Sequence, residues 1–177
     1  MQDRADLVAA SNVIAVDDDD DPDSNIDTIN ISIAGDPRTQ ERPRFVSGSK
    51  RPFDPSADFK VAFKQAVHEA LTLLNGDFDP PFFGDQCIRI HLTFEFKCPA
   101  SHCVRGDREG NLLFDAAQFP HRPDIDNLSK FVLDAIEDVM HNNDGKIVEL
   151  FAKKRHLPFA ASHGRIRMGI STLPIDP

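Results

Sequence analysis

The stretch His121-Arg122-Pro123-Asp124-Ile125-Asp126-Asn127-Leu128-Ser129-Lys130, with the turn Asn142-Asn143-Asp144-Gly145 beyond it, decides how this chain is read. Pro123 biases Arg122 away from the α region, so the approach to Asp124 is extended. In an extended segment side chains at i and i+2 share a face, which aims Asp124 and Asp126 the same way and turns Ile125 inward. From Asp126 onward the period changes. Leu128, Phe131, Val132, Ala135, Ile136 and Val139 recur at helical spacing and form one apolar stripe. Asp126 therefore sits at a helix N-cap or just inside it, where free N–H groups and the helix dipole favour a carboxylate, by about 0.5–2 kcal/mol for a cap. Lys130 and Asp134 continue a polar stripe above the acids. Capping alone explains an isolated Asp-x-Asp at a helix start, so this spacing is weak evidence taken by itself. With Asp144 as a third acid beyond the helix, the set is a candidate cage for a hard divalent cation.

A longer run carries more weight. The residues from Arg122-Pro123-Asp124-Ile125-Asp126-Asn127-Leu128-Ser129-Lys130 through Asp134-Ala135-Ile136, then Asn143-Asp144 and Ile147-Val148-Glu149-Leu150, resemble the RusA family of Holliday junction resolvases. Gly35-Asp36-Pro37 with Arg42-Pro43-Arg44 is similar to that family's opening segment, and the matches together span Ile29 to about Leu157. Such proteins are small homodimeric endonucleases that use magnesium, with manganese as a substitute, to cut four-way DNA junctions in recombination and repair. By position, the resemblance implies that Asp124, Asp126 and Asp144 are metal-binding catalytic acids and that Lys130 contacts or polarises the scissile phosphate. The chain departs from the pattern at Asn143, where an Asp is usual, at Lys146 in place of a Gln, and at Glu137-Asp138, where relatives often carry Asn-Gly. The second acid of the turn is kept as Asp144.

The residue types suit that chemistry on independent grounds. Magnesium takes oxygen ligands and keeps several waters, so a few carboxylates plus a substrate phosphate suffice. Metal-assisted hydrolysis needs no side-chain nucleophile, and no Gly-x-Ser-x-Gly or other motif setting a Ser or Cys beside a base occurs. An EF-hand fits poorly. Asn142, Asp144, Gly145 and Ile147 match positions 3, 5, 6 and 8 of its loop, but Met140 and Phe151 stand where carboxylates are required. Two alternatives remain open at this point: a binding protein for junctions or other branched DNA whose turnover is weakened through Asn143, and a nuclease for forks or flaps.

At 177 residues and 40% hydrophobic content the chain is expected to form one domain, residues 28–177, behind an acidic tail, residues 1–27. The tail contains Asp17–Asp21 with Pro22, a low-complexity run expected to be disordered and solvated. No apolar run approaches the roughly 20 residues of a membrane span and no secretory leader is evident, so the protein is expected to be soluble and intracellular. Cys87, Cys98 and Cys103 are odd in number, which argues against a disulfide framework. Cys98, His102 and Cys103 lack a fourth ligand at zinc spacing and read as buried or loop thiols.

The net charge of −9 would oppose DNA binding if it were evenly spread. It is not. Residues 1–27 hold nine Asp against Arg4, leaving 20 acids and 19 bases in the remainder. Within that nearly neutral body, Arg38, Arg42, Arg44, Lys50 and Arg51 form one basic cluster, Lys153, Lys154, Arg155 and His156 another, and Arg122 precedes the acids. Each cluster alone reads equally as solvated loop charge, and the resemblance assigns them to DNA backbone contacts.

Periodicity predicts a strand over 29–33, a loop over 35–55, and a helix from Ser56 or Asp58 to about Leu74 ended by Asn75-Gly76. It then predicts a strand over 87–96 whose polar face reaches towards the site, a long loop over 99–121, the Asp126 helix, and strands near 146–155 and 165–172. The expected fold is α+β: one domain with a mixed sheet and two main helices packed on one face.

Overall fold

A computed structural model describes residues 28–45, 52–99, 120–157 and 161–173. The acidic tail, Lys50, Arg51, His102, Cys103 and most of the expected 99–121 loop lie outside the described residues.

The first helix, α1, runs Ala57–Asn75 and buries Phe63, Val67, Ala70 and Leu71. It ends as its sequence dictates. Gly76 takes φ +78°, a left-handed value that glycine adopts without a Cβ clash, and its N–H reaches Thr72 O at 2.9 Å. At the start, Ser56 is buried and makes no capping bond, because its Oγ accepts the Glu41 N–H at 2.9 Å instead.

Strands β1 (Thr28–Ala34), β4 (Ile88–Lys97), β5 (Ile147–Leu157) and β6 (Arg165–Thr172) build one sheet in the order β1-β6-β4-β5. A two-residue ribbon, β2 (Arg44–Phe45) with β3 (Pro52–Phe53), interrupts the expected 35–55 loop. Strands this short leave no period for sequence to reveal. The pairs β1·β6 and β4·β6 are antiparallel and β4·β5 is parallel, so the sheet is mixed. A parallel pair needs a crossover, and that crossover carries the second helix, α2 (Ile125–Ile136).

Both helices pack on one face. Ile88, Ile90, Leu92 and Phe94 of β4 alternate inward with Ile166, Met168 and Ile170 of β6, and meet Phe63, Val67 and Leu71 of α1 and Leu128, Phe131 and Val132 of α2. Burying each such side chain contributes about 1.5–3 kcal/mol, which makes this contact the main source of stability. The predicted stripe of α2 is the buried one, except that the helix stops at Ile136 and Val139 is buried from the turn that follows. Between the helices, Lys60 of α1 reaches Asp134 of α2 at 3.0 Å and Asp54 at 3.1 Å.

The opening Gly35-Asp36-Pro37 segment is fixed against the start of β6. Gly164 donates its N–H to Asp36 Oδ1 at 2.8 Å and accepts the Gly35 N–H at 2.9 Å. A Cβ on Gly164 would lie 2.5 Å from Glu95 O, so only glycine fits this approach. Among the described residues no helix is long and apolar enough to cross a membrane.

Candidate active site

Helix α2 takes Asp126 just inside its start, the second of the two placements its pattern allows. Asp124 is the N-cap, extended at φ −68° and ψ 140°, and Asp126 lies inside the first turn. The common extended face expected for the two acids is therefore replaced by a common helix end, because the chain turns helical at Ile125. Both carboxylates are exposed, while Ile125 packs against the core as expected. Asp124 makes no side-chain capping bond, so the capping explanation does not account for its carboxylate. Lys130, also exposed, follows Asp126 by four residues and so rises from the same helix face.

Two contacts fix this end. Lys154 of β5 donates its ammonium to Pro123 O at 2.8 Å and to His121 O at 3.3 Å, tying the approach segment to the sheet. Gln40 donates its N–H to Asn127 O at 3.0 Å, which brings the basic segment before β2 alongside the first turn of α2.

Asp144 belongs to the other end. It opens a 3-10 turn, Asp144–Lys146, that feeds directly into β5. Asn143 caps that turn by accepting the Gly145 N–H at 2.7 Å, a bond an amide oxygen makes as well as a carboxylate. Lys146 anchors it from outside, donating to Asp85 O at 2.9 Å. Beneath lies a residue that the sequence reading passed over. His141 is fully buried, neither ring nitrogen has a hydrogen-bond partner, and its Nε2 stands 3.8 Å from Asp144 Oδ1. Only its spacing, three residues before Asp144, could have marked it.

The two acidic ends stand apart within one chain. Between them lie the 12 residues of α2, about 18 Å of helix at 1.5 Å per residue, and the turn that follows it. Among the described residues no group of three His, Cys, Asp or Glu side chains is placed to hold a metal ion together. The structure thus joins Asp124, Asp126 and Lys130 and sets Asp144 elsewhere.

The basic residues also divide. Arg42 and Arg122 are exposed, as is Arg44, which pairs with Glu41 at 2.9 Å. Lys153 is exposed on β5, whereas its neighbours serve the fold: Lys154 as described, and Arg155 by donating from Nε to Glu95 Oε1 at 2.7 Å. Glu95 is completely buried between Arg155 and Arg165. It lies with Arg89, His91 and Thr93 on the sheet face opposite the helices, so the polar side of β4 turns away from α2 instead of reaching towards it.

No individual curated protein matches this chain. The family model for endodeoxyribonuclease RusA, however, matches residues 34–170, from the end of β1 to within β6, and encloses both acidic ends, both helices and strands β4 and β5. The chain belongs to the RusA family of endodeoxyribonucleases.

Proposed function

We propose that this protein is a magnesium-dependent, structure-specific endonuclease that resolves four-way DNA junctions by paired phosphodiester hydrolysis, working as a homodimer. The observation that carries the reading is the exposed pair Asp124 and Asp126 at one helix end, with the Asp124 carboxylate not used for capping and Lys130 one turn above.

The donor set suits the ion: all oxygen, few in number, and open to solvent and to a substrate phosphate. Asp124, Asp126 and Asp144 would hold magnesium, which supplies activation of water and stabilisation of the leaving 3′ oxygen. Lys130 places a positive charge where negative charge gathers on the phosphate in the transition state. Arg42, Arg44 and Arg122, with Lys50 and Arg51, contact the DNA backbone and set its position. Since Asp144 lies at the far end of α2, one chain cannot deliver it to its own Asp124 and Asp126. The third acid of each site is then supplied by the second copy. A two-fold dimer presents two equivalent sites, which matches the two cuts a four-way junction requires.

The test is cleavage of a synthetic four-way junction beside duplex, fork and flap controls, with and without Mg2+ or Mn2+, by wild type and Asp126→Asn. Paired symmetric nicks made by wild type only, and only with metal, are expected. Junction binding with no metal-dependent cutting would overturn the reading in favour of a binding protein. Preferential cutting of forks or flaps would overturn the choice of substrate.

A further inference from the structure

His141 is the one histidine fully buried among the described residues, and neither of its ring nitrogens has a hydrogen-bond partner there. Burial strips a polar ring of its water, so a ring left unpaired costs stability that an apolar side chain of similar volume would not. A buried polar group of this kind calls for an explanation in function or strain. We propose that His141 is a positioning residue for Asp144: its Nε2–H donates to one oxygen of the carboxylate and leaves the other free for the metal ion. The inference rests on the reading of Asp144 as a metal ligand and adds a residue that reading does not contain.

The main chain fixes where the ring stands. Phe82 and Phe83 donate their N–H groups to Val139 O at 2.7 Å and Met140 O at 3.1 Å, and Asp138 donates its N–H to His141 O at 2.9 Å. Residues 139–141 are thereby tied both to the segment before β4 and to the turn after α2. From that position Nε2 lies 3.8 Å from Asp144 Oδ1. The two partners differ in freedom. The imidazole is enclosed, whereas the Asp144 side chain is 62% exposed and the bonds that hold its turn are made by Asn143 and Lys146. Closing the gap to about 2.7–3.2 Å, the range of an N–H···O bond, needs a movement of roughly 1 Å by the exposed carboxylate.

The composition of the turn makes this bond useful. Asp144 is the only acid among residues 142–146, and Asn143 commits its side-chain oxygen to the Gly145 N–H at 2.7 Å. The charge this turn offers a cation is carried by one carboxylate, so its direction matters. An exposed aspartate samples several rotamers, and ligation confines it to one. A carboxylate that already accepts a hydrogen bond from a fixed donor has lost that freedom beforehand, and removing such a donor typically weakens metal binding about 10–100-fold.

The experiment titrates the full-length protein with Mn2+ alone, without DNA, by calorimetry. The binding lost in Asp144→Asn defines the site, so ions held elsewhere on the chain are not counted. His141→Leu keeps the volume and removes the donor, and His141→Gln returns a donor N–H near the place of Nε2. His141→Leu is expected to unfold at a urea midpoint equal to or above that of wild type, yet to bind Mn2+ at this site about tenfold or more weakly, with the Mg2+ concentration for half-maximal junction cleavage raised to match. His141→Gln is expected to recover most of the affinity, and His141→Leu added to Asp144→Asn to change Mn2+ binding no further. Unchanged affinity in His141→Leu, or no recovery in His141→Gln, while Asp144→Asn loses the site, would overturn the positioning role alone. A His141→Leu protein that loses stability together with affinity, without recovery in His141→Gln, would mark a packing role and overturn it likewise. Mn2+ binding by Asp144→Asn equal to wild type would overturn the ligand reading and this inference with it. Mn2+ binding that follows the expected pattern in a protein that never cuts a four-way junction would support the positioning role while overturning the functional proposal.

Discussion

The two ends of α2 present carboxylates of the same kind, and the fold places them by different means. At the N-terminal end, Asp124 and Asp126 are carried by the backbone of one helical turn, and Lys154 holds the approach to that turn from the sheet through main-chain carbonyls. At the other end, Asp144 sits in a short turn between an Asn143 cap and a Lys146 strut, with buried His141 behind it. The first end is aimed by secondary structure and the second by local side-chain bonds. An acid on a helix is legible from periodicity, whereas one in a turn is legible only through the residues that make the turn.

The largest expected effect probes whether the two ends act together. Asp126→Asn and Asp144→Asn each remove a proposed ligand while keeping side-chain volume, and each is expected to lower junction cleavage about a thousandfold or more, the size of several kcal/mol of lost metal-assisted stabilisation. Mixed dimers of the two variants then separate the arrangements. If each site draws Asp144 from the opposite copy, the mixed dimer has one site with both defects and one with neither, so nicking of a single strand returns. If both acids belong to the same chain's site, each site carries one defect and the mixed dimer stays inactive. Gel separation of nicked from fully resolved junctions reads the result.

A smaller effect is expected from loosening only the N-terminal end. Lys154→Met keeps much of the side-chain length but loses the charged donor to Pro123 O and His121 O, a hydrogen bond of the kind worth about 1.5–3 kcal/mol. Cleavage is expected to fall about tenfold at saturating Mg2+, with the melting temperature lowered by only a few degrees. A cleavage rate equal to wild type would show that the acids hold their place without this tether. A fall in stability as large as the fall in rate would show that Lys154 supports the fold generally.

That contrast also marks how far the sequence could be read. The alternation of Ile88, Ile90, Leu92 and Phe94 and the stripe through Leu128, Phe131, Val132, Ala135 and Ile136 each report one buried face, so β4, α2 and the α+β class were legible. So was the end of α1 at Gly76, because a left-handed residue after an apolar helix has few other readings. Strand order was not, since alternation says which face is buried and nothing about neighbours, and the position of β5 at the edge depends on that order. The site shows the same division. Local spacing put Asp124, Asp126 and Lys130 at one helix start, but their separation from Asp144 follows from the path of α2 across the sheet. Lys154 and Arg155 looked like part of a basic cluster because sequence shows charge without its partner, and their partners are the 121–123 carbonyls and Glu95.

The smallest effect concerns the support beneath both ends, where Lys60 joins α1 to α2. Its side chain is only 17% exposed, and its ammonium bonds Asp134 at 3.0 Å and Asp54 at 3.1 Å. Burial by itself would lower the Lys60 pKa, but the hydrogen bonds and charges of Asp134 and Asp54 outweigh it and raise the value above 10.5. For Asp54, burial by itself raises the pKa, and the Ser56 N–H together with Lys60 outweighs it, holding the carboxyl below 3.8. A raised lysine contributes stability in full below its unfolded value and loses it as pH climbs through the higher folded one. A depressed carboxylate contributes above its unfolded value and loses it as pH falls through the lower folded one. Both contributions are therefore complete between about pH 4 and 10. Lys60→Met is expected to cost about 1–2 kcal/mol there, between the values for exposed and buried pairs, read as a lower urea midpoint with an unchanged slope. The gap between wild type and variant should stay level from pH 5 to 9 and narrow below about pH 3.8, as Asp54 takes up its proton. Because Lys60 bonds Asp134 and Asp54 and none of Asp124, Asp126 and Asp144, the variant should keep its junction cleavage at temperatures well below melting. A gap that instead widens in acid would mean that Lys60 is repelled in the folded state, contrary to the pairing with both carboxylates.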